Sequence, residues 1–428
     1  MKNIKIILLS WTLILLSCSE KTEINQNIEI YNTTGAIGAA RACILHTGNF
    51  EVFGKQIMEN DHLKTFKPNQ KNKEKYTKAY QHWKSQLEQL LKKHRSKDGT
   101  FDCITTVSGG KDGSYVSYVL KHKYNMNPLA ITIRPALAME IGDQNLLNFI
   151  QSGYDHVHLS PNTKVLDRLN KYGFIEKGFP YYGWLIAIMS AVIKTASSFK
   201  IPLIFYGEDG EVEYGGSTES KNKSLYDISY MKRVYLEGGH EKVLDRIRQD
   251  DDISEAELSF FKFPSDEEVS EVGLSFTHMS YYEPWDSYRN YVVAKEHCGL
   301  IEKEEGNEDT FTNFSQNDQA LYALHAYLMY LKFGFGRATQ DAGIEIRRGS
   351  MTRDQALNLV KMYDNAYPHH LIDTFLDYYK MTKKEFDMVL DKYANKKLFE
   401  KIDGIGSIEQ IFERLSTAID NHKIEASY

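Results

Sequence analysis

A glycine-rich turn with the sequence SGGKDGS contains the residue types that bind phosphate. Gly109 and Gly110 let backbone N–H groups approach an anion, because no Cβ atom stands in the way. Ser108 and Ser114 can donate hydroxyl hydrogen bonds, and Lys111 can supply a positive charge. A helix that follows the turn would point its positive N-terminal end at the same place. The turn therefore predicts a site for phosphate or pyrophosphate.

The elements around this turn alternate between strand and helix patterns. Four short apolar runs rich in β-branched residues are typical of strands buried on both faces. The predicted strands are 103–107, 129–133, 156–159 and 202–206, and the predicted helices between them are 114–124, 143–151, 164–172 and 181–199. This alternation predicts right-handed crossovers and a parallel sheet, in which ligands bind beyond the carboxyl ends of the strands. The glycine turn follows the first strand at such an end.

The whole chain divides into five predicted parts that differ in composition and periodicity. They are a signal-like or aberrant N-terminus (1–20), a variable segment with a lead-in helix (21–98), an α/β domain that contains the glycine turn (99–215), an insertion and substrate-side segment (216–310) and a helical C-terminal region (311–428). Helical spacing predicts the lead-in helix over 71–98 and a second α-helical portion over 315–400. The polar, acidic stretch 216–275 predicts a solvated insertion.

The composition is that of an ordinary globular protein of 428 residues, with 42% hydrophobic and 26% charged residues. Its length allows two or more domains. The net charge of −6 gives no electrostatic case for nucleic-acid binding. The four cysteines include no CxxC pair, so the sequence predicts neither a zinc knuckle nor a redox pair.

The glycine turn is neither a Walker A loop nor a GxGxxG loop, because its lysine and glycines have a different spacing. The segment SGGKDGS instead resembles the PP-loop of the N-type ATP pyrophosphatases. That family cleaves ATP between the α and β phosphates. A serine normally follows the aspartate directly there, whereas Gly113 precedes Ser114 here. The predicted fold class is α/β, with a parallel sheet of the adenine-nucleotide alpha-hydrolase-like (PP-loop) type and a C-terminal helical portion.

Further segments resemble the N-acetyl sugar amidotransferase family of lipopolysaccharide and nonulosonic-acid biosynthesis. They are NPLAITIRP (127–135), GEDGEVEYGG (207–216), NFSQNDQALYALHAYLMYLKFGFGRAT (313–339) and KFGFGRATQDAGIEIRRGSMTRDQA (332–356). The likeness covers roughly residues 100 to 400. It implies an ATP-dependent amidotransferase that transfers AMP to the acetamido oxygen of a sugar and lets ammonia displace the AMP, giving an acetamidino sugar.

This reading assigns candidate site residues. ATP-binding candidates are Ser108, Gly109, Gly110, Lys111, Asp112, Gly113, Ser114, Ile133 and Gly207, and catalytic candidates are Lys111, Asp112, Glu208 and Asp209. Asp112 or Glu208 would hold Mg²⁺, because carboxylate oxygens suit this cation. Candidates for binding the sugar are Glu213, Tyr214, Arg337 and Arg347. A competing interpretation makes Glu208-Asp209 a helix N-cap and the arginines members of surface ion pairs.

The chain departs from the family in two places. Family members usually begin with cysteine pairs that bind zinc, whereas the equivalent region here has only Cys43, so a zinc site is doubtful. Nothing resembles a glutaminase, so the resemblance implies a separate glutaminase subunit that supplies ammonia. The substrate partner would be an acetamido sugar or nonulosonic acid, and no nucleic acid is expected.

The first residues, MKNIKIILLSWTLILLSCSE, have the layout of a bacterial secretion signal. The residues LLSC at 15–18 resemble a lipoprotein box, with Cys18 as the lipidation candidate. ATP and activated sugars are cytoplasmic, however, so we expect a cytoplasmic enzyme behind an aberrant or replaced N-terminus. The alternatives are a membrane-anchored, non-catalytic sugar-binding lipoprotein and another PP-loop adenylating ligase.

Overall fold

The centre of the protein is a parallel sheet that carries helices on both faces. The computed structural model describes residues 70–208, 223–250 and 252–399. Within those ranges the sheet has five strands in the order β3-β2-β1-β4-β5, all paired in parallel. The strands are β1 (Cys103–Thr106), β2 (Pro128–Ile133), β3 (His156–Leu159), β4 (Leu203–Tyr206) and β5 (Ser275–His278). The predicted α/β fold class with a parallel sheet and a helical C-terminal portion is confirmed.

The order of the strands creates a crevice between β1 and β4. From β1 the chain proceeds to β2 and β3 on one side and then returns to place β4 and β5 on the other. Ile104 of β1 pairs with Leu129 of β2 and with Ile204 of β4. Ligands of open α/β sheets bind where the strand order reverses, outside the carboxyl ends of the strands. The glycine turn follows β1, and Gly207 follows β4, so both lie at this point.

The described helices connect the strands and then form the C-terminal portion. They are α1 (Gln70–His94), α2 (Lys111–Tyr118), α3 (Glu140–Gln151), α4 (Thr163–Lys177), α5 (Tyr182–Phe199), α6 (Ile228–Tyr230), α7 (His240–Ile247), α8 (Asp266–Val272), α9 (Ser287–Cys298), α10 (Leu321–Phe333), α11 (Arg337–Arg348), α12 (Arg353–Tyr363), α13 (Ile372–Tyr379) and α14 (Lys383–Tyr393). A π-helical turn, Val119–Lys123, extends α2. The lead-in helix predicted over 71–98 ends earlier, at His94.

Alternate residues of the strands face two different cores. Ile104 and Ile204 pack with α4 and α5 on one face, and Cys103 and Phe205 pack with α1 and α2 on the other. This alternation explains why the strands read as continuous apolar runs. α5 is long and apolar enough by composition to cross a membrane, yet 67% of it is buried inside the protein. It is therefore accounted for as the central core helix.

The prediction of a solvated insertion over 216–275 is wrong for its described part. β5 begins at Ser275 and pairs with β4, which extends the sheet beyond the predicted α/β range of 99–215. Met231, Leu258 and Phe261 are fully buried and belong to the core on the α5 face. The charged residues of this segment lie between those apolar positions. The segment is therefore amphipathic and covers the sheet, although its overall composition is acidic.

The C-terminal helices have a core of their own, which joins the sheet domain through α4. Phe174 of α4 stacks on Tyr379 and lies against Phe386, with ring centroids 4.9 and 5.2 Å apart. A second junction lies before α10, where Ala138 and Gln319 form an antiparallel bridge. This junction brings the start of the helical portion to the carboxyl edge of the sheet.

Candidate functional site

A cavity of about 400 Å³ lies at the carboxyl ends of β1 and β4. One side of it comes from the glycine turn and the start of α2, and the other side comes from α10, α11 and the segment before α10. Its lining includes Ser108, Gly110, Lys111, Asp112, Gly113, Glu208, Gln316, Asp318, Tyr322, His325 and Arg337. Residues distant in the sequence therefore face one shared cavity.

The glycine turn keeps its shape through glycines that allow close packing. Gly109 has a φ of +86°, a conformation that other residues rarely adopt, and its Cα hydrogens face the backbone of Leu146 on α3. A Cβ atom on Gly207 would lie 2.7 Å from the carbonyl oxygen of Thr106 and 2.8 Å from the Cα atom of Gly113. Gly109 and Gly207 thus allow the turn to pack closely against the backbone around it.

The N-terminus of α2 faces the cavity. Gly110 is the N-cap residue and has an extended conformation, and Lys111 begins the helix. The first amides of a helix have no carbonyl acceptor within it, and they carry the positive end of the helix dipole. Since Gly110, Lys111 and Asp112 all line the cavity, this end is available to an anion there.

Most of the predicted ATP-binding residues lie in the glycine turn, but not all of them face the large cavity. Ser114 is fully buried and does not line the cavity. Ile133 lies in a smaller adjoining cavity, which shares Ser108, Gly142 and Asp318 with the large one. The backbone carbonyl of Ile133 accepts a hydrogen bond from Trp184 Nε1 at 2.9 Å. The predicted nucleotide residues thus extend from the large cavity toward the end of β2.

Asp112 is held from two sides. It forms an ion pair with Lys111, and its Oδ1 accepts a hydrogen bond from Asn290 Nδ2 at 3.0 Å. Asn290 is fully buried on α9. The carboxylate therefore has a fixed position on the cavity wall.

Glu208 and Asp318 add two further carboxyl groups to the wall. Glu208 has surface open to the cavity, yet protein atoms surround the carboxyl group and limit its hydration. This desolvation, together with the charge of Asp112, raises the pKa of Glu208 to about 7. Burial also raises the pKa of Asp318 to about 6. His278 on β5 fixes the backbone at Glu208, because its Nδ1 donates to the Glu208 carbonyl oxygen at 2.5 Å.

Three carboxyl groups around one cavity fit a hard divalent cation such as Mg²⁺, which prefers oxygen ligands and keeps part of its water or phosphate shell. Asp112, Glu208 and Asp318 all line this cavity, and Asp112 or Glu208 would supply one or two of the oxygen ligands. Among the residues that the structure describes, no group of three or more His, Cys, Asp and Glu side chains forms a preorganised metal site. A divalent cation beside these carboxylates would need further oxygen ligands, such as those of a phosphate group.

Arg337 contributes a cation from the opposite wall. It is buried at the start of α11, and its Nη2 lies 2.9 Å from Asp341 Oδ1. Asp364 anchors this helix end by accepting hydrogen bonds from the backbone amides of Gly336 at 2.7 Å and Thr339 at 2.9 Å. In contrast, Arg347 is exposed near the other end of α11 and does not line the cavity.

Aromatic rings close the end of the cavity near α10. Tyr181 contacts Tyr322 edge to face at 5.2 Å and His325 at 5.1 Å. Burial lowers the pKa of His325 to about 3, so its ring is neutral. Neutral rings and hydroxyl groups suit the faces and hydroxyls of a sugar. Asp209, Glu213, Tyr214 and Cys18 lie outside the described residues.

Sequence reasoning missed several residues of the site, namely Asp318, Gln316, Tyr322, His325 and Asn290. Asp318 belongs to the polar run SQND just before α10. Its backbone carbonyl accepts a hydrogen bond from Met139 N at 3.0 Å, and a Cβ atom on Gly142 would lie 2.5 Å from its Cα. A polar run ahead of an apolar helix was the available signal, but it is also the ordinary signal for a helix start.

One family model matches the C-terminal part of the chain. Residues 308–415 match a family model described as the C-terminal domain of WbpG-like LPS biosynthesis proteins. An uncharacterized protein of Methanocaldococcus jannaschii is 30% identical over 74 residues, which make up 17% of this chain and 27% of that protein. The chain thus matches about a quarter of that relative's length.

Among solved structures, the tRNA thiolase NcsA from Methanococcus maripaludis, with its 4Fe-4S cluster, aligns over 77% of this chain and 87% of its own. The TM-score is 0.29 and the identity is 8%, values too low to indicate a shared family or function. The part of the chain that supplies Asp318, His325 and Arg337 to the cavity is therefore the part similar to the C-terminal domain of WbpG-like LPS biosynthesis proteins.

Proposed function

We propose that this protein is an ATP-dependent N-acetyl sugar amidotransferase, which converts the acetamido group of a sugar into an acetamidino group for a surface polysaccharide or glycan. One observation carries the proposal. The glycine turn and the region similar to WbpG-like LPS biosynthesis proteins line the same cavity. A phosphate-binding turn and a sugar-pathway domain that share a site favour ATP-driven chemistry on a sugar.

In this proposal the nucleotide occupies the side of the glycine turn. The N-terminus of α2 and Lys111 hold the β,γ-pyrophosphate, and Asp112 with Glu208 holds Mg²⁺, which neutralises phosphate charge when it is bound. The smaller cavity near Ile133 takes the adenine or ribose part. The α phosphate then faces the middle of the cavity, toward Asp318 and the helical wall.

The reaction suits such a site, because an amide carbonyl is a poor electrophile. The acetamido oxygen attacks the α phosphorus, pyrophosphate leaves, and AMP becomes attached to that oxygen. Ammonia then attacks the activated carbon and AMP departs, which leaves an amidine. The protein contributes mainly positioning and charge stabilisation. Lys111 and Arg337 are the cavity cations suited to stabilise the negative charge.

The sugar occupies the side of α10 and α11 in this proposal. Tyr181, Tyr322 and neutral His325 contact its ring and hydroxyls, and Arg337 contacts its polar groups. Asp209, Glu213 and Tyr214 remain proposed contributors from the segment after β4. We also propose a cytoplasmic location and a separate glutaminase subunit as the source of ammonia.

The proposal is tested by identifying the products. The full chain is incubated with Mg²⁺, ATP, ammonium and a panel of acetamido sugars, nonulosonic acids and sugar nucleotides, and products are analysed by mass spectrometry. We expect AMP, pyrophosphate and a sugar in which NH replaces O. Formation of ADP would contradict the proposed use of the glycine turn, and AMP formation without a modified sugar would favour another adenylating ligase.

A matched pair of variants connects the products to the site. Asp112→Asn keeps the shape of the side chain but removes its charge beside Lys111, and we expect AMP formation to be abolished. Asp387→Asn makes the same change in an ion pair with Lys383 on the distant helix α14 and should leave turnover unchanged. Full activity of Asp112→Asn would remove Asp112 from the mechanism.

A further inference from the structure

Asn290 does not line the cavity, but it contacts Asp112, one of the carboxylates that do. It lies fully buried on α9, and its Nδ2 donates a hydrogen bond to Asp112 Oδ1 at 3.0 Å. Asp112 follows Lys111 at the start of α2, so the contact joins two helices that are far apart in the sequence. A buried amide beside a carboxylate fixes that carboxylate only if the amide itself cannot rotate.

Arg289 fixes the orientation of this amide. Its Nε and Nη2 lie 3.3 and 3.1 Å from Asn290 Oδ1. A guanidinium group has only donors, so the atom that faces it must be the amide oxygen. The amide nitrogen is then directed at Asp112, where it meets an acceptor.

Arg289 is itself held by a buried acid. Its Nη2 lies 3.2 Å from Glu283 Oε1, and its guanidinium lies 4.4 Å from the ring centre of Tyr115 on α2. The Tyr115 hydroxyl donates to the same Glu283 oxygen at 2.5 Å. Glu283 is 7% exposed and Arg289 is partly buried, so the acid end of these contacts is shielded from bulk water, which strengthens a charge-assisted bond. The order of contacts runs from Glu283 through Arg289 and Asn290 to Asp112.

We propose that Asn290 is a positioning residue that holds the Asp112 carboxylate in the orientation that receives the divalent cation of Mg·ATP. Lys111 engages Oδ2 of Asp112 and Asn290 engages Oδ1, so the plane of the carboxylate is fixed while each oxygen keeps a second lone pair. This inference rests on the proposed use of ATP at the glycine turn. It adds that the cation affinity depends on a side chain which does not touch the nucleotide.

The test compares two substitutions whose order of effect depends on the role of Asn290. Asn290→Asp preserves the shape and the acceptor toward Arg289, but it turns an acceptor toward Asp112. Asn290→Ala removes the side chain and leaves space. A positioning role predicts that Asn290→Asp weakens Mg·ATP binding more than Asn290→Ala does, whereas a packing role predicts the reverse.

Binding of ATP to the full-length chain is measured by titration calorimetry, in Mg²⁺ and again in EDTA, and the melting temperature is recorded for each variant. We expect the gain in affinity that Mg²⁺ provides to fall by about tenfold or more in both variants, because a hydrogen bond to a charged group is lost. Affinity in EDTA should change little. Asn148→Ala is the control, since it removes an amide that binds the other end of α9 at the Gly299 carbonyl without reaching Asp112.

The outcomes separate this inference from the proposed function. If the unmodified protein fails to bind Mg·ATP, the proposed function fails and the inference fails with it. If the unmodified protein binds Mg·ATP and both Asn290 variants retain its Mg²⁺ dependence, the inference alone is overturned. A larger loss in Asn290→Ala than in Asn290→Asp, in both affinity and melting temperature, would also overturn it.

Discussion

Gly113 on the first turn of α2 packs directly against Thr106 at the end of β1. A Cβ atom at Gly113 would lie 2.5 Å from the Thr106 carbonyl oxygen, which is closer than real Cβ atoms approach a backbone oxygen. A serine at position 113, as in the loops that SGGKDGS resembles, would therefore not fit here without movement of α2. Glycine at position 113 therefore allows α2 to pack closely on the end of β1.

Gly113→Ser should accordingly destabilise the protein and displace α2. We expect a loss of roughly 1–3 kcal/mol in the free energy of unfolding, the usual range for overpacking. Urea denaturation measures this loss, and calorimetry should show weaker ATP binding in the same variant. Gly306→Ala is the control, because the nearest atom to its new Cβ lies at 3.5 Å. Equal stability of Gly113→Ser and the unmodified protein would mean that the turn adjusts freely.

Glu208 should make stability depend on pH with a definite sign. Its pKa is raised from 4.5 to about 7, so the folded protein favours the neutral carboxyl group. That contribution to stability is fully present below pH 4.5 and is lost as pH rises through about 7. The melting temperature of Glu208→Gln relative to the unmodified protein should therefore rise across this pH range.

Glu385→Gln is the control, because its melting temperature relative to the unmodified protein should change with pH in the opposite direction. Hydrogen bonds from Thr382 at the start of α14 lower the pKa of Glu385, so its contribution is present at neutral pH and is lost on acidification. Thermal denaturation from acid to alkaline pH follows both variants. Parallel curves for the two substitutions would show that the cavity does not perturb Glu208.

Arg348→Ala should loosen the contact between α11 and α9. Arg348 Nε lies 3.0 Å from Asp286 Oδ1, the side chain that caps α9, and its guanidinium lies 5.3 Å from the ring centre of Tyr288. The pair is only partly exposed, so we expect a loss of about 1 kcal/mol in the free energy of unfolding. Lys380→Ala breaks an exposed pair with Asp377 and should cost about 0.5 kcal/mol or less by the same urea measurement. A smaller effect of Arg348→Ala than of the control would count against a role for this contact.

Asp364→Ala should affect both stability and sugar use. The substitution leaves the Gly336 and Thr339 amides without their acceptor, which we expect to cost roughly 1–3 kcal/mol. Since these amides lie on either side of Arg337, the KM for the sugar should rise while the KM for ATP changes little. Thr352→Ala removes the cap of α12 instead and should lower stability without changing either KM. If Asp364→Ala is less stable than the unmodified protein but has the same KM for the sugar, Asp364 has only a structural role.

The sequence was sufficient where the determinants are local. β1 to β4 are short apolar runs bounded by turn residues, and the glycine turn has its own spacing, so both could be predicted. β5 was missed because SFTH has only one strongly apolar residue, Phe276, and becomes a strand by pairing with β4. The residues near β5 in the sequence do not indicate that it pairs with β4.

The site was predictable only in part for the same reason. Asp318 and Asn290 reach the glycine turn because separate parts of the chain dock on it, and nothing near them in the sequence indicates this. Arg347 illustrates the converse. It follows Arg337 by ten residues, which is about 15 Å along a helix, so the two arginines cannot serve one small cavity.

The bridge between Ala138 and Gln319 has a consequence for synthesis of the protein. The glycine turn and all five strands of the described sheet leave the ribosome before Asp318 and Arg337 do. A nascent or prematurely released chain would therefore carry the anion-binding turn without the opposite wall of the cavity. The cavity is therefore complete only after translation has passed α11, and a chain that ends earlier has the glycine turn without Asp318 and Arg337.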